Sequence, residues 1–259
     1  MRSRQHTALG LAAAACLILS GCTNAADWNA NRSSQIHSYD TSSIQAQPDI
    51  IATLPQGALD DGVLDVAAST DYAPAEFLDP SGKAVGYDVD LTNAIAAVLG
   101  VKGKVHTAEF DSIIASIGSK YDAGISSFTV TPERTAEVDM TTYINVGSRF
   151  NVQAGNPKGV ETSDHLKLCG RTIGVQVGTD QETAMRKAAD ECSEAGKGVL
   201  SVRAYSKQSE ATTGLVGGTI DATYSDSTVA GYAVELTDGQ IVTLGEVEDA
   251  APQGVVTSK

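Results

Sequence analysis

The sequence predicts an α/β protein made of two facing α/β units, and three observations carry that expectation. Short β-rich runs alternate with stretches of helical period from Val63 to Ser126, and the alternation begins again at Arg171. An extended segment, Tyr143 to Ala154, joins the two series. The 259 residues, 42% apolar, are enough to bury a proper core. Ligands of such sheets sit beyond the carboxyl ends of strands, so two units facing each other enclose a cleft lined by both. Eighteen Lys and Arg against thirty-two Asp and Glu give a net charge of −14. That sign repels phosphate backbones, which argues against a nucleic-acid partner.

The chain opens as an address. Arg2 and Arg4 precede Leu9, Leu11, a four-alanine run, Cys16, Leu17, Ile18 and Leu19, a stretch too short to span a bilayer as a helix of about 20 residues. Leu19-Ser20-Gly21-Cys22 resembles the bacterial lipobox. This implies a signal peptide over residues 1–21 and a lipid on Cys22, the alternative being ordinary secretory cleavage with Cys22 a free thiol. Without residues 1–21 the chain keeps sixteen basic against thirty-two acidic residues, a net charge of −16. With Cys16 discarded and Cys22 acylated, Cys169 and Cys192 remain in an oxidising compartment and are expected to pair as a disulfide. A redox or metal pair would need closer spacing and companion ligands. From the lipidated Cys22 to residue 56 the composition, rich in Asn, Ser, Ala and Gln, reads as a flexible tether in which Trp28 and His37 are strays.

The elements then follow in order. Val63–Ala68 reads as a strand, and Asp88 or Asp90 is expected to cap a helix whose Leu91, Ile95, Val98 and Leu99 share a face and whose Gly100 stops it. Lys104–Thr107 reads as a strand, Asp111 as the cap of a helix carrying Ile113, Ile114 and Ile117, and Tyr121–Ser126 as a strand. The second series is Arg171–Val177, a helix over 180–195, a strand over 199–204, a helix over 207–216, a strand over 220–224, a helix over 226–235 and a strand over 240–244. Between the series, Ile144, Val146, Phe150 and Val152 alternate before Gly155-Asn156-Pro157, as a hinge crossover would.

Gly124 to Arg134 couples a strand end to a helix start. Thr131 can cap, Pro132 suits the first helical position, and Arg134 then projects from the first turn. A guanidinium there can grip a carboxylate with two parallel hydrogen bonds, while Ser127 and Thr129 can accept from an ammonium. An ordinary exposed helix start accounts for the same residues equally well.

Gly62-Val63-Leu64-Asp65-Val66, Tyr72-Ala73-Pro74, Gly86-Tyr87-Asp88-Val89-Asp90-Leu91, Phe110-Asp111, Asp122-Ala123-Gly124-Ile125 and Thr131-Pro132-Glu133-Arg134, in this order, resemble the amino-acid-binding branch of bacterial extracellular solute-binding proteins, family 3, over about residues 57–259. The resemblance implies a type II periplasmic-binding-protein-like fold, each lobe a mixed sheet flanked by helices and the lobes joined by two hinge strands. Lobe I would be residues 57–148 plus 251–259, and lobe II residues 149–250. It also implies a monomeric receptor, anchored by lipid to the outer face of the cell membrane, that hands a free amino acid to the permease subunits of an ABC importer.

Carried over by position, Arg134 would bind the α-carboxylate, with a backbone N–H of Thr129, while Ser127 and Thr129 would meet the α-ammonium. Tyr72 would stack over the side chain, with Ser126 nearby. Gln176 precedes the Gly178–Glu182 turn, in which Thr179 and Asp180 join the site, and Asp226 would accept from the ammonium. Structural readings stand beside these. Thr179 with Glu182 makes a capping box, Asp226 can merely cap a helix, Tyr72 can be loop packing, and Asp180 either points to solvent or biases the pocket towards a cationic side chain. Asp71 and Glu76 hint at a polar or basic ligand.

Two departures from the family pattern stand out. Met140 and Thr142 replace its aromatic and proline, and Pro252–Lys259, expected to re-enter lobe I, is not followed by the helices that usually cover that lobe. No nucleophile triad, metal cluster or phosphate loop suggests catalysis or a cofactor, and His6, His37, His106 and His165 are scattered. A dehydratase on this scaffold and a sensing module for a signalling partner are the competing functions.

Overall fold

The computed structural model describes residues 38–259. The expected signal peptide of residues 1–21, Cys22, Trp28 and His37 lie outside them. The tether expected to reach residue 56 is held from Tyr39 onwards. Tyr39 N–H donates to Asp90 Oδ2 at 2.8 Å, Gln47 N–H donates to Val98 O at 2.9 Å, and Pro48 opens the one-turn helix α1 (Pro48–Ile51). The partner surface lies some fifty residues further along the chain, so local composition did not reveal this docking.

In the first half, β1 (Val63–Ala68) lies parallel between β5 (Lys102–Thr107) and β6 (Ala123–Thr129). The connecting helices are α2 (Tyr87–Leu99) and α3 (Phe110–Ser116), and a small sheet of β2 (Asp71–Tyr72), β3 (Glu76–Leu78) and β4 (Ala84–Val85) sits between β1 and α2 in sequence. Gly100 ends α2 at φ 69°, the left-handed stop expected of it. The caps differ from expectation. Gly86 precedes α2, and a Cβ there would collide with the carbonyls of Pro74 and Ala75, so this close approach of two backbone segments requires glycine. Asp88 turns inward and is 1% exposed, because Ser127 and Tyr143 hold its carboxylate where a cap would have used it. Asp111 is no cap either, since α3 starts one residue earlier, after Glu109.

After α4 (Pro132–Glu137), β7 (Asp139–Gln153) crosses to the second half. There β8 (Thr172–Gln176), α5 (Asp180–Glu194), β9 (Ser201–Tyr205), α6 (Gln208–Val216), β10 (Ala222–Asp226) and α7 (Ser227–Leu236) repeat the alternation. The return is a single strand, β11 (Ile241–Thr257), where two separate strands were expected. One mixed sheet results, in the order β5-β1-β6-β11-β7-β10-β8-β9. The antiparallel pair β7 and β11 links the halves, and β11 loses register between Leu244 and Glu248 and again before Ala251. Opposite this break stands Gly147, where a Cβ would run into Val247 and the Glu248 backbone.

Helices cover both faces of the sheet. Phe110, Ile113, Tyr121 and Phe128 pack on one side of the first half, and Leu64, Val66, Ala96 and Ile125 on the other. In the second half Phe150, Leu168, Ile173, Met185 and Tyr224 form the main core. Cys192 of α5 lies in that core and is joined to Cys169 in a disulfide with a Cα–Cα distance of 5.5 Å.

Candidate ligand-binding site

Arg134 stands at the mouth of the first half because three local features put it there. Thr131 is extended, its Oγ1 accepts from Arg134 N–H at 3.3 Å, and Pro132 takes the first helical position, so the Arg134 side chain leaves the first turn of α4. Its Nη1 donates to Thr129 O at 2.7 Å and its Nη2 to Gly178 O, from the second half, at 3.0 Å. The guanidinium lies 5.5 Å from the Phe110 ring centroid and 5.6 Å from that of Phe128. Burial lowers its pKa, and the negative charge of Asp180, then of Asp226, works the other way. Both acceptors are neutral carbonyls, so the cation's full charge remains available to an anion.

Asp226 ends β10 and precedes α7 without capping it. Gln181 Nε2 donates to its Oδ1 at 2.8 Å, and Gln253 Nε2 donates to its Oδ2 at 2.6 Å. Its own N–H donates to the Tyr72 hydroxyl at 3.2 Å, and the side chain is almost completely buried. Burial raises the Asp226 pKa to about 7 despite the two amides. Gln181 Nε2 also reaches Ser148 Oγ at 2.8 Å, so α5, β7, β10 and β11 all converge on one carboxylate.

Beneath this lies a second acidic group. Ser127 adopts φ 50°, which turns its N–H and Oγ onto Asp88 Oδ2 at 2.9 and 3.2 Å, while Tyr143 donates to Asp88 Oδ1 at 2.7 Å. Ser126 Oγ donates to Glu76 Oε1 and accepts from Ser69 N–H at 3.0 Å. Glu76 is fully buried, and burial followed by the Asp88 charge pushes its pKa well above the carboxylate range. Its other oxygen, Oε2, is buried without a hydrogen-bond partner, an environment that favours the protonated form. Glu76 is not on the pocket wall and does not face a ligand there. Through Ser126 Oγ it supports the Ser126–Ser127 turn.

Arg134 and Asp226 line one pocket of about 210 Å³, open solvent at its mouth included. Tyr72, Ser126, Ser127 and Thr129 line it from the first half, and Thr179 and Asp180 from the second. Asp180 lines this wall and is half-exposed. Gln176 is not on the wall: its Nε2 donates to Ser69 Oγ at 3.0 Å and to Ser206 O at 3.2 Å. The capping box is present, with Thr179 Oγ1 accepting from Glu182 N–H at 3.1 Å, but the Glu182 carboxylate takes Gly178 N–H at 2.7 Å, one residue before the cap. Phe110 and Gln181 complete the wall, and Gln253 stands behind Asp226. Phe110 and Gln181 lie within the motifs of the family resemblance, which assigns them no role, and nothing local marks Gln253.

Two α/β halves joined by two strands, with a cation and an anion facing one pocket between them, define a two-lobed solute-binding architecture. Residues 64–234 match the profile of the bacterial extracellular solute-binding proteins, family 3, and the chain belongs to that family. It is 32% identical over 210 residues to the arginine-binding protein ArgT of Corynebacterium glutamicum, covering 80% of this chain and 68% of that protein. It is 30% identical over 200 residues to the L-cystine-binding protein TcyJ of Escherichia coli, covering 76% of this chain and 71% of that one. Among solved structures, an ancestral arginine-binding protein bound to arginine superposes with a TM-score of 0.70 at 32% identity, over 76% of this chain and 85% of that one. These relatives are named as binding proteins, not as enzymes. Among the described residues no helix is long and apolar enough to cross a membrane.

Proposed function

We propose that this chain is the extracytoplasmic receptor of an ABC importer. It captures a free basic L-amino acid, L-arginine first among them, between two closing lobes and delivers it to a permease. The observation that carries the reading is the meeting of Arg134 and Asp226 on one pocket from opposite halves. A zwitterion entering a closed cleft loses water around two charges, and direct partners of opposite sign make that tolerable. Arg134 would take the α-carboxylate and Asp226 the α-ammonium, with Tyr72, Ser126, Ser127, Thr129 and Thr179 shaping the space between. Once those charges cancel, Asp180 is a surplus carboxylate on the wall, and it suits a cationic side chain.

Residues 57–148 with 251–259 and residues 149–250 would move as the two lobes, bending where β11 loses register against β7. A ligand touching both lobes shifts the population toward the closed form, and that form is what a permease would recognise. Export and a lipid on Cys22 would keep the receptor at the outer face of the membrane.

Calorimetry on the purified full chain with L-arginine, L-lysine, L-cystine and L-glutamine tests the reading, alongside mass spectrometry of each amino acid after incubation. Tight binding of arginine, recovered unchanged, is expected. A preference for cystine or glutamine would overturn the basic ligand, and conversion of the bound molecule would replace the receptor with an enzyme.

A further inference from the structure

The halves also meet away from the pocket wall, at the start of α6. The residue before this nine-residue helix is Lys207, which has no side-chain oxygen to satisfy the free N–H groups of the first turn. The missing acceptor comes from the other half of the molecule. Asp71 of β2, 138 residues earlier, accepts at Oδ2 from Ser209 N–H at 3.3 Å and from Ser209 Oγ at 3.1 Å. Its Oδ1 accepts from Ser69 Oγ at 3.3 Å, and Ser69 Oγ in turn accepts from Gln176, which also holds Ser206 O. A short strip of the first half, Ser69 to Asp71, thus grips the turn that opens a helix of the second. Burial in this contact raises the Asp71 pKa, while Ser209, Ser69 and the Lys207 ammonium work the other way.

We infer that Asp71 is a helix cap supplied across the cleft, completed only when the halves are together, so that it sets how long the closed form lasts without touching the ligand. The inference rests on the two-lobe reading above and assigns to it a latch separate from the residues proposed to hold the ligand. Hydrogen bonds made only when the halves are together must break before the closed form opens, so they act on release more than on capture.

Radiolabelled L-arginine release from the full chain, followed during a chase with unlabelled arginine, and small-angle scattering of the ligand-free chain test it together. Asp71→Ala is expected to speed release about threefold to thirtyfold, the range of a lost cap, with capture changed less than about twofold and with a longer maximum dimension in scattering. Asp71→Asn keeps an acceptor oxygen and should restore most of the residence time. Ser209→Ala combined with Asp71→Ala should be no worse than Asp71→Ala alone. Additive effects, slower capture in place of faster release, or scattering identical to wild type would each overturn the latch. If wild type binds no amino acid, the proposed function falls, and the scattering of Asp71→Ala still decides the latch.

Discussion

Arg134 and Asp226 stand at two ends of one pocket, held by different means. The cation rests on two backbone carbonyls and two aromatic rings, and its own cap and proline aim it from three residues away. The anion rests on two side-chain amides brought from α5 and β11, 45 and 27 residues distant. A guanidinium supported by neutral carbonyls keeps its charge at any physiological pH. A carboxylate buried among amides does not, and Asp226 sits near pH 7 in its titration. One end of the site is a fixed charge, and the other is conditional on pH.

Breaking the fixed end should cost most. Arg134→Ala would leave a ligand carboxylate buried and unpaired, a loss of about 3 to 5 kcal/mol, or more than about a hundredfold in affinity by calorimetry. Affinity within a few-fold of wild type would remove Arg134 from the site.

A control away from both ends comes next. Cys169 and Cys192 close a loop with a sequence separation of 23, worth about 3 kcal/mol of stability in the chain-entropy model. The Cys169→Ser/Cys192→Ser double variant should need less denaturant to unfold yet bind with unchanged affinity. A large affinity loss would mean that the second half transmits strain to the pocket.

The conditional end is sharpened by pH. Binding an ammonium requires Asp226 ionised, so affinity should be level above about pH 7 and fall as the pH drops below it, by up to about tenfold per unit. Calorimetry at pH 6 in buffers of different ionisation enthalpy should register proton release on binding. The free fold shows the opposite sign. The raised pKa makes the folded chain bind more protons than the unfolded one between about pH 4 and 7, so the Asp226 contribution to stability falls as pH rises through that window. Gln253→Leu removes one amide and should move the affinity profile to higher pH, whereas an unmoved profile would separate Asp226 from the titration.

The smallest effect is expected at the cap of α4. Thr131→Ala should cost about 1 kcal/mol of stability and a few-fold in affinity, with no change in pH profile, because it disturbs only the end whose charge does not titrate.

Several elements were legible because their signals are local. Thr131-Pro132 before Arg134, Gly100 after a helical face, and Thr179 three residues before Glu182 each act within one turn of backbone, and each appears where the spacing placed it. Asp88 and Asp111 mislead for the same reason. Both have a cap's spacing, but the Asp88 carboxylate is claimed by Ser127 and Tyr143, which come beside it only in the folded sheet. Gln253 and the docking of residues 39–51 on α2 depend wholly on distant partners and left no local trace.

What the chain alone determined is the alternation of its elements, the capped turn that aims Arg134 and the family to which it belongs, since propensity, capping and motif order act over a few residues. Only the tertiary structure decided which carboxylates are shifted, that burial raises the pKa of Glu76 and brings that of Asp226 to about 7, and that Asp71 caps a helix it is not part of. Burial and cross-chain hydrogen bonds set those states, and both depend on neighbours tens of residues away.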